Sequence, residues 1–142
     1  MKITQLSVFT ENKPSHVVAP CRVLANAKIN IRAMSLPDTH PFGIMRLIVG
    51  NWREAQKLLE EASFIVKATE VVAVQIPDRP GAVYEVLHVL ERTSISIEYM
   101  YAFPFGHERD AILIFGFADP GTAVERLQTA GIKVVGQEAL RD

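Results

Sequence analysis

The sequence has 142 residues, the length of one ordinary domain or of two small ones. Its 15 basic and 16 acidic residues leave a net charge of −1, which argues against the positive field that binds a nucleic-acid backbone. Hydrophobic residues make up 49% of the chain but form no run long enough to span a membrane, so we expect a folded protein with no membrane partner and no nucleic-acid partner.

The first half of the chain predicts the order strand, helix, strand, strand, helix, strand. Strands are indicated where apolar and β-branched residues cluster or alternate, and helices where apolar residues recur at helical spacing. The expected strands lie near 3–9, 29–34, 43–49 and 64–66, and the expected helices run from residue 17 and over 52–62.

Two residues constrain where the first helix begins. Pro20 fits only within the first turn, where its missing N–H would have no partner. Ser15 is placed to cap the helix through its hydroxyl. We therefore expect the helix to begin close to Val17.

The second half of the chain repeats the first. Pro80 lies 66 positions after Pro14, and after a two-residue insertion Leu127 lies 68 positions after Leu59. Gly131 is expected to end the last helix in a left-handed conformation. The expected strands of this half lie near 71–76, 95–103, 111–117 and 132–135, and its helices near 82–93 and 121–130.

Two βαββαβ repeats predict an α+β fold. We expect two tandem ferredoxin-like domains, residues 1–69 and 70–142, each with an antiparallel sheet and its helices on one face. Each half is shorter than the roughly 70–80 residues that a single core needs to be stable alone. We therefore expect the halves to pack on each other or on a second chain.

The loop between the first strand and first helix of each half is the most suggestive element. In Asp78-Arg79-Pro80-Gly81 the glycine permits a close backbone approach or a positive φ, and the helix that follows offers free N–H groups to an anion. Asp78 can accept hydrogen bonds from an ammonium group, and Asn12 in the first copy can both donate and accept. The simpler interpretation is a well-capped turn.

This loop, the βαββαβ order and the helix end in which Leu90 precedes Ile95-Ser96-Ile97 together resemble the ACT domain, a small-molecule sensing module of regulated enzymes in amino-acid metabolism. The resemblance covers the whole chain, twice. It implies a stand-alone tandem ACT protein without a catalytic residue or a cofactor. Such a protein would bind an amino acid between domains, pair as a homodimer and regulate an enzyme or its own assembly.

The resemblance also implies which residues contact the ligand, namely those of each strand–helix loop and of the start of each second strand. Ser15 stands where the family has glycine, and Ser96 stands where the first copy has Asn30, so either copy can be the working site. The implied ligand-binding residues are Asn12, Pro14, Ser15, His16, Asn30 and Ile31 in the first copy, and Asp78, Pro80, Gly81, Ala82, Ser96 and Ile97 in the second.

Two other functions stay open. The chain can be a purely structural oligomerisation module, in which the loops are only turns. It can also be an acylphosphatase-like enzyme of the same topology, since Arg79 stands in the loop that would bind phosphate, although no glycine-rich run accompanies it. The aromatic strand 114–117 loosely resembles that of RNA-recognition motifs, but we interpret it as a buried strand.

The remaining reactive side chains do not indicate a metal site or a nucleophile. The histidines have no ligand spacing. Cys21 cannot form an internal disulfide and lies on the apolar stripe of the first helix, where we expect a small core residue. The histidines are His16, His40, His88 and His107.

The N-terminus lacks the apolar core of a signal peptide, so we expect a cytoplasmic protein.

Overall fold

A computed structural model of the chain describes residues 1–11, 13–37, 42–105 and 109–140. No helix in these ranges is long and apolar enough to cross a membrane. The elements follow the order β1 (Ile3–Glu11), α1 (Val18–Asn26), β2 (Ile31–Ser35), β3 (Phe42–Val49), α2 (Trp52–Glu61), β4 (Val66–Pro77), α3 (Ala82–Arg92), β5 (Ile97–Phe105), β6 (Asp110–Phe117), α4 (Pro120–Thr129), β7 (Lys133–Val135) and a short 3₁₀ helix (Gln137–Leu140).

One strand differs from the prediction. The sequence indicated separate strands near 64–66 and 71–76, but β4 is a single strand of 12 residues. The residues between, Lys67-Ala68-Thr69-Glu70, include neither glycine nor proline, so nothing interrupts the extended backbone. The 3₁₀ helix before the C-terminus was not predicted. The tandem ferredoxin-like α+β fold is otherwise confirmed.

The described chain divides into two compact units. The first unit comprises Thr4–Thr69 and the C-terminal residues from Leu140 onward, and the second comprises Met1–Ile3 and Glu70–Ala139. The domain limits 1–69 and 70–142 remain a prediction, because a compact set of contacts is not by itself a domain that folds alone.

The first unit places its helices on one face of an antiparallel sheet. Strand β3 pairs with β1 and with β2, and Leu6 lies opposite Leu47. Side chains of β1 and β3 that point to this face pack with the buried residues of α1 and α2. The core of this unit consists of Leu6, Val8, Leu24, Met45, Leu47, Val49, Ala55, Leu59 and Val66.

The second unit repeats this arrangement. Strand β4 pairs with β6 and β7, β5 pairs with β6, and Val72 lies opposite Phe115. Phe115 and Phe117 are buried and stack with their ring centroids 5.3 Å apart, so this strand presents no aromatic face for bases. The core consists of Val72, Val74, Ile76, Ala82, Val86, Leu90, Leu113, Phe115, Phe117, Ala123, Val124, Leu127 and Val134.

The duplication extends to backbone irregularities that the sequence did not reveal. Lys28 and Ser94, which are equivalent, both have positive φ (59° and 58°). Ser63 (φ 72°) is equivalent to Gly131 (φ 81°), whose left-handed conformation was predicted and is confirmed. The second strand of each unit also carries a register shift at the same place, between residues 31 and 33 and between residues 97 and 99.

Both sheets also bury side chains on the face turned away from their helices. Ile48 of β3 and the pair Ile112 and Ile114 of β6 alternate with core residues and are 0% exposed. Part of β3 and of β6 is therefore buried on both faces, which explains why these strands are rich in consecutive apolar residues.

Candidate functional site

The end of β1 carries a buried polar side chain. Leu6, Val8 and Thr10 alternate along the strand and point to the same face, where the first two are core residues. Thr10 is only 6% exposed, and its Oγ1 has no hydrogen-bond partner among the described residues. A buried hydroxyl without a partner is costly, so it marks a place where a ligand can contribute the missing bond.

The loop after β1 is held by backbone hydrogen bonds. The Lys13 N–H donates to Glu11 O (2.8 Å), His16 N–H to Lys13 O (3.1 Å) and Ala19 N–H to Ser15 O (3.1 Å). These bonds turn the chain from β1 into α1 and bring the loop side chains back toward Thr10.

The start of α1 differs in part from the prediction. The helix begins at Val18 after Val17 as the N-cap residue, and no side chain caps it, so the expectation that Ser15 caps the helix is wrong. Ser15 lies too far before the first turn for its hydroxyl to serve as the cap. Pro20 is the third helical residue, which confirms that it lies within the first turn.

His16 presents a second polar atom without a partner. Its Nδ1 contacts the carbonyl oxygen of Lys13, and because a carbonyl can only accept, Nδ1 carries the proton. In the neutral ring Nε2 is then an acceptor, and in the charged ring it is a donor. Nε2 is buried and has no partner among the described residues.

A cavity of about 350 Å³ collects these groups, and we call it the loop cavity. An ion pair stands at its edge, with Lys13 Nζ 3.2 Å from Glu11 Oε2 and both side chains mostly exposed. The residues around the cavity therefore carry one cation, one anion, three hydroxyl groups and an imidazole. Its described lining residues are Phe9, Thr10, Glu11, Lys13, Ser15, His16, Ala19, Ser63, Phe64 and Ile65.

The loop cavity contains some of the predicted ligand-binding residues. Ser15 and His16 line it, whereas Pro14 is exposed and does not. Asn12 lies outside the described residues. The role of these four residues as ligand contacts remains a prediction.

The predicted residues at the start of the second strand lie elsewhere in the unit. Thr10 is opposite Gly43 and Ile31 is opposite Val49, at the two ends of β3. Six residues of extended chain separate these positions by about 20 Å. Asn30 and Ile31 therefore do not reach the loop of their own unit, and their contact with a ligand remains a prediction.

The equivalent loop of the second unit carries an ion pair between Arg79 and Glu85 of α3. Gly81 has φ +87° at the start of α3, as its position in the turn predicted. Arg79 donates through Nη2 to both carboxylate oxygens of Glu85 (2.9 and 3.1 Å) and through Nη1 to Pro80 O (3.2 Å). The guanidinium is thus engaged, which counts against a phosphate site in this loop.

The other predicted residues of the second copy are placed in different environments. Asp78 and Pro80 are exposed, and the backbone N–H of Asp78 donates to Arg109 O at 2.8 Å. Ala82 is 2% exposed and belongs to the core. Ser96 is exposed and Ile97 packs against the core at the far end of the sheet. Their ligand contacts also remain predictions.

A second concavity in the first unit is mainly apolar. It measures about 520 Å³ and shares Phe9, Thr10, Glu11 and Ile65 with the loop cavity. Phe42, which completes it with Gly43 and Ile44, is 70% exposed, and Ile65 is 71% exposed. We call this surface the apolar groove.

Thr10, which lines the loop cavity, was not predicted as a site residue. Thr10 occupies an inward position of β1, and its equivalent in the second copy is Ile76. The presence of a threonine where the other copy has an apolar core residue could have indicated a functional position. Glu11 and Lys13 were treated only as turn residues.

The other reactive side chains form no further site in the part of the chain that the structure describes. No group of three or more His, Cys, Asp or Glu side chains there could hold a metal ion. His88 stacks on Tyr84 with the ring centroids 5.6 Å apart, and His40 and His107 lie outside the described residues. Cys21 packs partly against the core, and burial raises the pKa of its thiol.

The chain is similar to one family model and to several solved structures. The model, described as an ACT domain pair, matches residues 1–142. A protein from Bacteroides thetaiotaomicron is 32% identical with a TM-score of 0.91, over 99% of this chain and 96% of that chain. No curated protein sequence matches significantly.

More distant structures share the fold. The regulatory subunit of aspartate kinase from Thermus thermophilus, in its ligand-free form, is 16% identical with a TM-score of 0.61, over 89% of this chain and 91% of that chain. The corresponding subunit from Thermus flavus is 14% identical with a TM-score of 0.60, over 90% and 92%.

Proposed function

The chain belongs to the family of ACT domain pairs, and we propose that it is a non-catalytic regulatory module that binds an amino acid. The observation that carries this proposal is the loop cavity, where the Thr10 hydroxyl and His16 Nε2 are buried without partners among the described residues, beside an ion pair. Groups that recognise a small polar ligand are present, whereas a nucleophile with a positioned base is not evident among the described residues.

The charges at the loop cavity suit a zwitterion. The Lys13 ammonium can turn to the carboxylate of an amino acid, and the Glu11 carboxylate can turn to its ammonium group. Both side chains are more than half exposed, so their ion pair contributes no more than about 1 kcal/mol and is easily exchanged for bonds to a ligand. Thr10 and His16 then supply hydrogen bonds inside the cavity.

Regulation requires that the ligand favours one state of assembly over another. The loop cavity and the apolar groove share four lining residues, so a ligand in the cavity changes the surface of the groove. We assign the groove to a second copy of the chain, as a homodimer whose formation depends on the ligand. A regulated enzyme would recognise one of these states.

The proposed setting is the cytoplasm. There a half-buried free thiol such as Cys21 stays reduced, and free amino acids are present as metabolic signals.

A purely structural oligomerisation module is the second candidate. Exposed Phe42 and Ile65 in the apolar groove favour it, because contiguous exposed apolar surface marks interaction sites. In that case the loop cavity stays without a ligand, and no amino acid stabilises the protein.

Thermal unfolding of the purified protein with each of the twenty amino acids separates these functions. A ligand at about 100 times its dissociation constant adds about 2.7 kcal/mol, enough to raise the midpoint by a few degrees. We expect a rise with a related group of amino acids and no hydrolysis of acetyl phosphate. No rise with any amino acid would favour the structural module, and hydrolysis would favour the enzyme.

A further inference from the structure

We infer that the two copies have diverged in function: each chain binds one amino acid with an apolar side chain, in the first unit only. This inference rests on the proposed function. It adds the number of sites, their location and the class of ligand, and it comes from a residue-by-residue comparison of the two loops.

The backbones of the two loops are alike. The hydrogen bond from Ala82 N–H to Arg79 O (3.3 Å) repeats the one from His16 N–H to Lys13 O (3.1 Å). The bond from Glu85 N–H to Gly81 O (3.0 Å) likewise repeats the one that joins Ala19 to Ser15. The backbones nevertheless differ at the last loop residue, since Gly81 has φ +87° and its equivalent Ser15 has no positive φ. A difference in binding can therefore come from this residue as well as from the side chains.

The two unpartnered polar groups of the first copy are absent from the second. Ile76 stands at the position of Thr10, and Ala82 stands at the position of His16. Both are core residues, 6% and 2% exposed. In the second copy these two positions make apolar contacts in the core. In the first copy Thr10 Oγ1 and His16 Nε2 have no partner among the described residues and can bind a ligand.

A third difference between the two copies lies at the position of Ala19. Glu85 occupies the position of Ala19, and its carboxylate holds Arg79 in a bidentate ion pair. In the first copy the small Ala19 side chain lines the loop cavity and leaves Lys13 to pair at the edge with Glu11. Arg79 and Glu85 are both about half exposed, and they form this pair where the first copy has Lys13 and Ala19.

The apolar wall of the loop cavity indicates the ligand class. Phe64 lines the cavity and packs partly against the core, on the face to which Thr10 also points, whereas Phe9 and Ile65 border the cavity from the opposite face of their strands. In the second copy the position of Phe9 holds Gln75, which donates to Asp110 Oδ2 at 2.6 Å. A zwitterion bound at the polar groups would therefore place an apolar side chain against this wall.

Substitutions that exchange residues between the copies test this inference. Ala19→Glu should let residue 19 pair with Lys13 and close the loop cavity, and an acidic residue in the first turn of α1 favours the helix. Glu85→Ala is the matched control in the second copy. Isothermal titration is carried out with valine, leucine, isoleucine, methionine and phenylalanine, and with aspartate and lysine for comparison.

We expect one amino acid bound per chain, a loss of at least about tenfold in affinity in Ala19→Glu, and an unchanged affinity in Glu85→Ala. Far-UV circular dichroism checks that the variants fold. The double variant Thr10→Ile with His16→Ala, which copies the second loop, should lose affinity in the same way and replaces Ala19→Glu if that variant does not fold.

Other outcomes separate this inference from the proposed function. Two amino acids bound per chain, or a loss of affinity in Glu85→Ala, would overturn the single site while leaving an amino-acid-binding module. Tighter binding of aspartate or lysine than of any apolar amino acid would overturn the ligand class. If no amino acid binds the parent protein, the proposed function fails and this inference fails with it.

Discussion

At the scale of single residues, the loop cavity keeps a polar group where the fold would be more stable without one. Thr10 follows Leu6 and Val8 on the core face of β1 and is 6% exposed. Its unpartnered hydroxyl lowers the stability of the protein alone, and a ligand that bonds to it recovers this loss. Stability and binding therefore oppose each other at this position.

Thr10→Val tests this opposition, because valine has the shape of threonine without the hydroxyl. We expect the free energy of unfolding to rise by about 1 kcal/mol while affinity for the amino acid falls about tenfold. Urea unfolding and isothermal titration measure the two quantities. Thr10→Ser, which keeps the hydroxyl, should retain affinity. Unchanged affinity in Thr10→Val would show that Thr10 does not contact the ligand.

A second residue-scale prediction concerns Asp119, the N-cap of α4. Hydrogen bonds from the hydroxyl of Thr122 to Oδ2 (2.6 Å) and from its N–H to Oδ1 (3.2 Å) lower the pKa of this carboxyl. The folded state thus favours the charged form, so Asp119 contributes stability above the pKa of the unfolded chain, and this contribution is lost as pH falls through the lower pKa of the folded state.

Asp119→Asn keeps an acceptor at the cap but removes the charge. We expect its thermal midpoint to lie below that of the parent at neutral pH, and the difference to shrink as pH is lowered from about 7 to about 2. Scanning calorimetry over this range measures the difference. A difference that stays constant with pH would show that the charge of Asp119 does not contribute.

At the scale of elements, each of the four α-helices is followed by a residue with a left-handed backbone conformation. Lys28 and Ser94 occupy equivalent positions after α1 and α3, and Ser63 and Gly131 do so after α2 and α4. Only the last position carries glycine. The other three accept the strain of a side chain at positive φ.

Ser94→Gly is expected to relieve this strain. The left-handed conformation costs a non-glycine residue about 1–2 kcal/mol, and the added freedom of glycine in the unfolded chain offsets about 0.4–1 kcal/mol. We therefore expect the free energy of unfolding to rise by about 0.5–1 kcal/mol in urea titrations. Gly131→Ser is the converse control and should lower it, since a Cβ there meets no atom within 4 Å and only the backbone conformation matters. A loss of stability in Ser94→Gly would contradict the argument.

The loop between β1 and α1 and the loop between β4 and α3 occupy equivalent positions but carry different side chains. Corresponding backbone hydrogen bonds occur in both turns, whereas the side chains and the start of the following helix differ. In the second unit the pair of Arg79 and Glu85 stabilises the start of α3. In the first unit the helix starts later and without a side-chain cap.

At the scale of the whole molecule, the proposed homodimer depends on the apolar groove. Phe42→Lys introduces a charge at a residue that is 70% exposed and does not line the loop cavity. With the bound amino acid present, we expect sedimentation equilibrium to give a dimer for the parent and a monomer for this variant, with unchanged secondary structure, because a buried unpaired charge is costly at an interface. Tyr84→Lys, at a residue on α3 that is 66% exposed, is the control and should remain dimeric. A dimeric Phe42→Lys would remove the groove from the interface.

The sequence was sufficient for the architecture. The spacing of apolar residues placed the four helices α1 to α4, and the repeat between the two halves predicted the tandem βαββαβ order, because helix and strand periods are local properties of the chain. Gly81 in the second loop was expected to permit a close backbone approach or a positive φ, and its φ is +87°. The continuous strand β4 was missed because Lys67-Ala68-Thr69-Glu70 is mostly polar and separates the two apolar runs that predicted strands.

The content of the candidate site was decided by the tertiary structure. The sequence by itself directed attention to both loops. It could not show that the Thr10 hydroxyl and His16 Nε2 are buried without partners among the described residues, while Ile76 and Ala82 belong to a core. Burial and hydrogen bonding depend on residues that are distant in the chain, such as Phe64 and Ile65 beside the first loop. Local periodicity therefore determined the elements, and long-range packing decided which loop retains a cavity.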